Sequence, residues 1–448
     1  MRTQLFGIVV LALVMVILPF HMRFVQGDDS LAGIEPYYHA RAIASLSEGI
    51  MRDDSIVGGR QFEFNPYHVF MVVPFKLFGE RSLSVFPVIF ALLSVGLLFR
   101  LLSVFGVSRS AWLWMVLAFV LSPPWISGAF LATPLSFALC LILSGAVLFF
   151  GRWWWVGCGL LVVASLVSVG AAIGAIAFLC LVLLLGVKYE KVMVSLLLVM
   201  MSSIFSSSVL VTLSGSFVDL VSDFGGVYGL SLFGVLLSLI GFGTFWNQKR
   251  RYYKLFVLGV VFAASFILLP DAVPFVNLLV CFGAGQALDV LSRRKWKVGV
   301  IRSASLFVLF CGLLFSGISH TLLLSDLEPS VDFFDALDVP RGVVLSHEMY
   351  GFWIEAAGHK AVLDPLWSKL PDSSERFYDS RFVFNSVDVQ RTASVLEKYG
   401  VDYVLITPQM EQGLVWKREG SGLSFLAQNS EMFKRTQAGS KVGVWKVD

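Results

Sequence analysis

The chain has 448 residues, of which 57% are hydrophobic and only 15% are charged, and its formal net charge is +3. Ordinary soluble domains contain about 25% charged residues, so this composition excludes a soluble globular protein. We expect a membrane partner and no nucleic-acid partner. All five cysteines lie inside apolar segments, which favours packing residues over a disulfide framework or a metal set.

Apolar segments follow one another along the first 324 residues. They cover residues 5–20, 83–102, 110–122, 128–150, 153–170, 171–187, 191–213, 228–246, 253–270, 273–291 and 299–324. Most of them approach the roughly 20 residues that a helix needs to cross a bilayer. Because the segments between 110 and 187 are short or nearly fused, the count has an error of about one or two. The sequence predicts a polytopic α-helical membrane protein with about 11 transmembrane helices.

Positive charges lie in alternate short loops between these segments. With the N-terminus in the cytoplasm, the cytoplasmic loops contain Arg100, Arg109, Arg152, Lys188, Lys191, Lys249, Arg250, Arg251, Lys254, Arg293, Arg294, Lys295 and Lys297. The opposite short loops contain Asp219, Asp223 and Asp271 and no Lys or Arg. This positive-inside pattern predicts a cytoplasmic N-terminus. It places the long first loop, residues 21–82, and the C-terminal region on the extracytoplasmic face.

The C-terminal region has a different composition. Residues 325–448 contain many charges and no cysteine, in a length that suits one small domain. The pattern predicts strands at 342–346 and 401–406, a helix at 391–399, and a final edge strand at 441–447. The sequence therefore predicts two domains, a transmembrane domain at 1–324 and a small extracytoplasmic α/β domain at 325–448.

The first loop contains a compact set of ionisable residues. Asp28 and Asp29 precede Glu35, which begins a Glu-Pro-Tyr-Tyr-His-Ala-Arg run that includes His39 and ends at Arg41. Charges held at a bilayer surface are costly and are usually kept for function. Their spacing allows Glu35, His39 and Arg41 to share one helical face. The alternatives stay open: the two aspartates as a solvated loop or cap, Glu35 as an N-cap-like residue, and His39 as a structural hydrogen-bonding residue.

The order of these motifs resembles the GT-C glycosyltransferases, and most of all the catalytic subunits of archaeal-type oligosaccharyltransferases. The Glu-Pro-Tyr-Tyr run at 35–38 is similar to the Asp-Pro-aromatic-aromatic motif that follows the first span in that family. Val-Ser-Asp at 221–223 is similar to the end of the Ser-Val-Ser-Glu-like motif of a re-entrant external loop. The family's Asp-x-Asp-like pair is absent, since Gly-Ala-Phe-Leu-Ala-Thr-Pro at 128–134 occupies its position.

A further resemblance lies in the C-terminal region. Residues 346–354, Ser-His-Glu-Met-Tyr-Gly-Phe-Trp-Ile, match the frame of the family's Trp-Trp-Asp-Tyr-Gly motif, which reads the hydroxyl residue of the acceptor sequon. Only Tyr350 and Gly351 are kept, so the resemblance implies an acceptor other than the standard Asn sequon. It implies acceptor binding by His347, Glu348, Tyr350 and Gly351.

The resemblance implies an inverting enzyme that transfers a sugar or oligosaccharide from a polyprenyl-phosphate or pyrophosphate carrier to a protein or glycan acceptor on the extracytoplasmic face. The implied catalytic acids are Asp28, Asp29, Glu35 and Asp223. His39 and Arg41 would contact the donor phosphate. Glu35 and Asp223 would hold Mg²⁺ or Mn²⁺, which favour carboxylate oxygens, although the absent pair removes about half of the usual carboxylates.

Two other functions stay open. The first is a catalytically lapsed paralogue that binds a lipid-linked glycan or serves as a scaffold subunit, which the missing acids and tryptophans favour. The second is a transporter, which should have polar groups near the middle of its spans or paired broken helices. Ionisable residues are nearly absent from the predicted spans and frequent in the external loops, which favours the enzyme.

Overall fold

A computed structural model describes residues 2–206, 220–246, 249–418, 420–436 and 441–448. The chain divides into two compact units. The first unit consists of Met1–Gly27, Phe64–Pro74 and Phe78–Asp326, and the second of Asp28–Glu63, Phe75–Leu77 and Leu327–Asp448. Asp219 lies outside the described residues. The second unit therefore combines the C-terminal region with residues 28–63, which we call the loop segment.

Most of the described chain up to residue 325 is helical. In chain order its helices are α1 (Arg2–Val25), α2 (Glu35–Ser47), α3 (Pro66–Phe78), α4 (Arg81–Val104), α5 (Arg109–Val120), α6 (Pro123–Phe130), α7 (Leu135–Phe149), α8 (Trp154–Val167), α9 (Val169–Leu184), α10 (Tyr189–Ser203), α11 (Leu232–Trp246), α12 (Lys249–Leu268), α13 (Val273–Arg293) and α14 (Gly299–Ser325). Of these, α2 belongs to the second unit.

Four of the described helices are long and apolar enough to cross a membrane: α1, α4, α13 and α14. The pair α5 and α6, bent by 54°, forms a fifth if it counts as one span. Shorter apolar helices of 10–17 residues include α7, α8 and α9. These helices identify an integral membrane protein, as the sequence predicted. The predicted count of about 11 spans is not confirmed, because the apolar sequence between 110 and 187 is divided among helices shorter than a full span.

The bend between α5 and α6 exposes polar backbone inside an apolar unit. Pro123 begins α6, and proline suits the first helical position because it lacks an N–H. At the break, the Ser122 hydroxyl accepts a hydrogen bond from Asn277 of α13 at 2.7 Å and donates to the Phe119 carbonyl at 2.6 Å. Irregular backbone at membrane depth is tolerated where neighbouring groups satisfy it. Asn277 and Ser122 do so here.

Glycines let two helix pairs of the first unit approach closely. A Cβ atom at Gly157 of α8 would lie 2.7 Å from the carbonyl oxygen of Gly145 in α7. A Cβ atom at Gly241 of α11 would lie 1.9 Å from the carbonyl oxygen of Gly283 in α13. Lipid tails are as apolar as leucine, so membrane helices associate through such backbone contacts rather than through the hydrophobic effect.

The second unit contains a mixed sheet. Its further elements are β1 (Arg52–Asp53), β2 (Arg60–Gln61), α15 (Val331–Ala336), β3 (Val343–Leu345), α16 (Gly351–Ala356), β4 (Lys360–Ala361), α17 (Ser373–Asn385), α18 (Val389–Tyr399), β5 (Tyr403–Ile406), α19 (Gly422–Asn429), β6 (Phe433–Arg435) and β7 (Gly443–Val447). The strand order is β4-β3-β5-β7-β6, in which β4, β3 and β5 are parallel and β7 is antiparallel to both its neighbours. β1 and β2 form a separate antiparallel pair.

The local predictions for the C-terminal region hold for β3, α18 and β5. Gly400 ends α18 with a φ of 61°, a conformation that glycine adopts without strain, and the chain then enters β5. The prediction of a final edge strand is wrong. β7 lies between β5 and β6, because the short strand β6 pairs with its other side.

The loop segment extends this sheet beyond β4. Ile56 forms a parallel bridge with Ala361 of β4. The Ala361 N–H donates to the Ser55 carbonyl and the Val57 N–H donates to the Ala361 carbonyl, each at 3.0 Å. Residues far apart in sequence are thereby joined by main-chain hydrogen bonds, so the position of the loop segment depends on the C-terminal sheet.

Candidate functional site

Helix α2 carries the acid that the sequence places first among the catalytic candidates. Glu35 is the first residue of α2 and is buried, and Pro36 follows it in the first turn. The partial positive charge of a helix N-terminus favours a carboxylate there. The preceding Asp28 accepts hydrogen bonds from the N–H and the hydroxyl of Ser30, at 3.0 Å and 2.6 Å, whereas Asp29 is exposed. Asp28 therefore has a turn-forming role in this structure.

A buried set of charges lies next to α2. We define the charge cluster as Arg41, Asp53, Arg60, Glu355 and Asp364. Arg41 of α2 pairs with Asp53 at 2.8 Å and with Glu355. Arg60 pairs with Asp53 at 3.1 Å and with Asp364 at 2.5 Å. Removing charges from water costs several kcal/mol per ion unless partners compensate, so the members of this cluster depend on one another.

The charge cluster shifts the pKa of its members. Burial acts to raise the pKa of Asp53, but Arg41 and Arg60 outweigh it, so this pKa lies below its usual value. Burial also opposes the charge of Arg60, but Asp364 and Glu355 outweigh it and raise its pKa. Burial is the dominant effect at Glu355, whose pKa is raised well above its usual value. The aspartate is thus held ionised and Glu355 is held towards its neutral form.

Aromatic rings cover the Arg60 guanidinium. Its central carbon lies 5.5 Å from the ring centre of Tyr38 and 5.8 Å from that of Phe352, and these two rings are 5.3 Å apart. Cation–π contacts of a desolvated guanidinium contribute about 2 kcal/mol or more. Burial raises the pKa of Tyr38 to about 12, so its hydroxyl stays neutral. The Glu-Pro-Tyr-Tyr run therefore contributes a ring that packs on the cluster.

The two predicted phosphate contacts, Arg41 and His39, do not form an exposed cationic surface. The Arg41 guanidinium donates hydrogen bonds to the carboxylates of Asp53 and Glu355. His39 is buried, and its ring packs edge-on against Tyr38 with 5.5 Å between ring centres. Contact with a donor phosphate stays a prediction for both residues.

Asp223 belongs to the first unit and ties two helices together. It lies in a short 3-10 turn, Ser222–Phe224, which Gly225 ends with a φ of 102°. One carboxylate oxygen accepts a hydrogen bond from the Leu232 N–H at the start of α11, at 2.7 Å. The other accepts one from the Ser316 hydroxyl of α14, at 3.0 Å. Both oxygens of this acid therefore have structural partners.

The acids predicted to hold a metal ion are Glu35 and Asp223. Among the residues that the structure describes, no three His, Cys, Asp or Glu side chains come together as a metal site would require. Glu35 and Asp223 belong to different units, and the Asp223 oxygens accept the hydrogen bonds given above. The described residues therefore show no Mg²⁺ or Mn²⁺ site, and metal binding by Glu35 and Asp223 stays a prediction.

The predicted acceptor motif begins where β3 ends. His347 and Glu348 follow this strand, and Arg381 of α17 pairs with Glu348 at 2.9 Å. The His347 Nδ1 atom accepts a hydrogen bond from the Met349 N–H at 3.3 Å. Burial lowers the pKa of His347, Glu348 opposes this shift and Arg381 adds to it. The imidazole is therefore neutral near pH 7, beside a partly exposed carboxylate and guanidinium.

Tyr350 and Gly351 have packing roles. Tyr350 is buried between Phe333 and Trp353, and its hydroxyl accepts a hydrogen bond from Thr407 at 2.8 Å. A Cβ atom at Gly351 would lie 2.4 Å from the Leu363 carbonyl oxygen. The retained Tyr-Gly pair thus fixes the path of the chain between β3 and α16 and leaves Glu348 and His347 as the polar groups of the motif.

Sequence reasoning missed Asp53, Arg60 and Glu355 of the charge cluster, as well as Arg381. Arg381 also lies over the ring of Phe377 at 5.0 Å, and this ring stacks on Trp367 with 4.4 Å between ring centres. No periodic pattern marks these residues, because their partners lie far away in sequence. The only available signal was the density of charge in the first loop.

Comparison with solved structures shows the fold. The chain is similar to the archaeal oligosaccharyltransferase AglB from Archaeoglobus fulgidus in complex with an inhibitory peptide and a dolichol-phosphate, with a TM-score of 0.64 and 13% identity over 99% of this chain and 74% of that one. A structure of the Archaeoglobus fulgidus enzyme with zinc and sulfate gives a TM-score of 0.61 and 14% identity, over 98% and 72% of the chains. ArnT from Cupriavidus metallidurans gives 0.54 and 14%, over 97% of both chains. No protein-family profile and no curated protein sequence matches. The fold is that of GT-C glycosyltransferases, as the motifs predicted.

The charge cluster generates a stability prediction. Replacing Arg60 by methionine leaves three buried carboxylates with one guanidinium, and we expect a loss of about 3–5 kcal/mol in unfolding free energy. The matched control is Arg52→Met in β1, whose ion pair with Asp54 is 65% and 70% exposed and should contribute less than about 1 kcal/mol. Both losses are measured by thermal unfolding of the purified protein, with the protease resistance of residues 28–63 and 327–448 as the signal. Equal shifts in the two variants would contradict the assignment.

Proposed function

We propose that this chain is a membrane glycosyltransferase that transfers a sugar or oligosaccharide from a polyprenyl-phosphate or pyrophosphate carrier to a protein or glycan acceptor. The observation that carries the proposal is the position of Glu35, a buried carboxylate in the first turn of α2 in a chain with the GT-C fold. The archaeal oligosaccharyltransferase of the same fold was solved with a dolichol-phosphate, which supports a lipid-linked donor.

The reaction requires one bond to form as another breaks. An acceptor nucleophile attacks the anomeric carbon of the sugar, and the bond from that carbon to the carrier phosphate oxygen breaks with its electron pair leaving on the phosphate. The nucleophile loses a proton, for which we propose the Glu35 carboxylate as acceptor. Attack opposite the departing phosphate inverts the anomeric configuration. Asp28, Asp29 and Asp223 remain the other acids for which the family resemblance implies a catalytic role.

The groups proposed for the donor phosphate follow from their contacts. For Arg41 we favour a positioning role. Its guanidinium pairs with Asp53 and Glu355, and these ion pairs hold the helix that Glu35 begins. His39 remains the proposed phosphate contact on the same helix. A carboxylate base and the anionic carrier phosphate repel each other, so the base must be held in position. The ion pairs of Arg41 hold the helix that carries it.

We propose that the acceptor binds where β3 ends. Ligands of open α/β sheets bind outside the carboxyl ends of parallel strands, at the point where the strand order reverses. In this sheet that point is β3, which has β4 on one side and β5 on the other. Glu348 and Arg381 offer an acceptor and a donor of hydrogen bonds on a partly exposed surface. Tyr350 and Gly351 support them through packing.

A second function is favoured by specific observations. The Asp-x-Asp-like pair is absent from 128–134, and both oxygens of Asp223 have structural hydrogen-bond partners. A lapsed paralogue that binds a lipid-linked glycan without transferring it fits these facts. Such a protein would bind the donor with unchanged affinity in Glu35→Gln and would show no transfer in any variant.

The Glu35 assignment predicts loss of transfer. We expect Glu35→Gln to lower kcat by at least about 100-fold, because the amide cannot accept the proton of the nucleophile. The matched control is Glu48→Gln at the other end of α2, an exposed residue whose change should leave kcat within about two-fold. Transfer from polyprenyl-linked donors by the protein in native lipid measures both. Full activity of Glu35→Gln would reject the assignment.

The acceptor assignment predicts a change in KM. We expect Glu348→Gln to raise KM for the acceptor about ten-fold while kcat changes little, since a lost binding contact acts on ground state and transition state alike. The exposed residue Glu431 supplies the control variant Glu431→Gln. A lower kcat at constant KM would instead place Glu348 in the chemical step, and an unchanged KM would remove it from the acceptor site.

The positive-inside pattern supports a cytoplasmic N-terminus and an extracytoplasmic C-terminal region. Ser394 of α18 is exposed, so Ser394→Cys gives a site for a membrane-impermeant maleimide. We expect this variant to react in intact cells, while the wild-type chain, whose five free cysteines lie in apolar helices, serves as the unlabelled control. Reaction only after permeabilisation would reverse the topology.

A further inference from the structure

The charge cluster contains unequal numbers of acids and bases. Its three carboxylates belong to Asp53, Glu355 and Asp364, and its two guanidiniums to Arg41 and Arg60. The side chains of Glu355 and Asp364 are 0% exposed and that of Asp53 is 1% exposed. With every group ionised, the cluster holds one uncompensated negative charge away from water. Such a charge is strongly destabilising unless a proton neutralises it.

The contacts indicate which carboxyl group carries that proton. Both oxygens of Asp53 face a guanidinium, and its Oδ1 also accepts a hydrogen bond from the Ser55 N–H at 3.2 Å. The Asp364 Oδ1 accepts one from the Leu366 N–H at 2.9 Å. Its Oδ2 has no hydrogen-bond partner of regular geometry but lies 2.5 Å from a guanidinium nitrogen of Arg60.

Glu355 differs from these two acids because one of its oxygens faces neither a guanidinium nor a hydrogen-bond donor. Its Oε2 faces Arg41, whereas its Oε1 is buried without a hydrogen-bond partner. A neutral carboxyl group loses less than a carboxylate when one of its oxygens lacks a partner. Glu355 is therefore the site of the proton.

The cluster joins two parts of the second unit that are distant in sequence. Arg41 lies on α2, and Asp53 and Arg60 lie on β1 and β2, all within the loop segment. Glu355 lies on α16, and Asp364 follows β4. We propose that the charge cluster is a proton-dependent latch, which holds α2 against the C-terminal part of the second unit while Glu355 is protonated and loosens when Glu355 ionises. The latch does not depend on the proposed transfer reaction.

The direction of the pH effect follows from the groups that face Glu355, namely Arg41, Asp53, Arg60 and Asp364. Burial, Asp364 and Asp53 raise the pKa of Glu355, and Arg41 and Arg60 oppose them with a smaller effect. The folded state thus binds this proton more tightly than the unfolded chain, where the ordinary pKa is 4.5. The stabilisation is complete below that value and is lost as pH rises through the raised pKa.

Asp53 sets the opposite limit of the latch. Arg41 and Arg60 lower its pKa against the effect of burial, so its contribution is present above the ordinary value of 3.8 and is lost as pH falls through the lowered pKa. The latch is therefore tightest in mildly acidic solution and loosens towards alkaline pH.

Hydrogen–deuterium exchange of the full chain in lipid nanodiscs tests the latch without any activity measurement. Wild type and Glu355→Gln are compared at the same pH, so the intrinsic exchange chemistry cancels. At about pH 5 we expect equal exchange in residues 35–47. At about pH 9 we expect exchange about ten-fold faster in wild type than in Glu355→Gln, because the ionised carboxylate loosens the cluster. Equal exchange at both pH values would overturn the proposal.

A second pair of variants separates the latch from a general loss of folding. Arg41→Gln removes a guanidinium and should speed exchange in residues 35–47 at every pH, while exchange in β5 stays slow. The exposed Glu397 on α18 gives Glu397→Gln as the matched control, which should follow wild type throughout. Unchanged exchange of residues 35–47 in Arg41→Gln would show that the cluster does not hold α2, and would also overturn the proposal.

Discussion

The second unit depends on a cluster of five ionisable side chains, largely withdrawn from water, that joins two distant parts of the sequence. Arg60 illustrates this dependence, since it pairs with Asp53 in its own hairpin and with Asp364 more than 300 residues later, and two aromatic rings cover its guanidinium. Buried ion pairs are weak evidence of net stability, but breaking one leaves an uncompensated charge. The main effect of the cluster is therefore to specify the position of α2, and its contribution to the stability of the whole unit is smaller.

The first unit follows a different principle. Its helices approach through backbone contacts at Gly145 and Gly157, and some of its polar side chains pair with one another within apolar surroundings. Asn277 hydrogen bonds to Ser122 at the bend between α5 and α6, and Ser127 of α6 lies 2.6 Å from His320 of α14. In such surroundings each unpaired polar group costs several kcal/mol. Small residues and pairs of uncharged polar side chains thus hold this unit together, in place of the buried ion pairs that organise the second unit.

The sequence predicted those features that depend on neighbouring residues. The strand β3, the helix α18 and its end at Gly400 each follow from a local run of residue types, and the motif order predicted the fold. The span count could not be obtained in this way, because short apolar helices and full spans have the same composition. The cluster could not be predicted either, since Glu355 and Arg41 approach only after the chain has folded. A charge in the sequence does not reveal which distant charge it will face.

The contacts of the acids also distinguish their chemical roles. An acid that already accepts two short hydrogen bonds has its lone pairs directed at fixed donors, and a new ligand must first displace them. Asp223 is in this position, with the start of α11 on one oxygen and Ser316 on the other. One oxygen of Asp28 likewise accepts two hydrogen bonds from Ser30. Glu35 begins the helix that Arg41 joins to Asp53 and Glu355. If Glu35 is the base, as proposed, the charge cluster positions the helix that carries it.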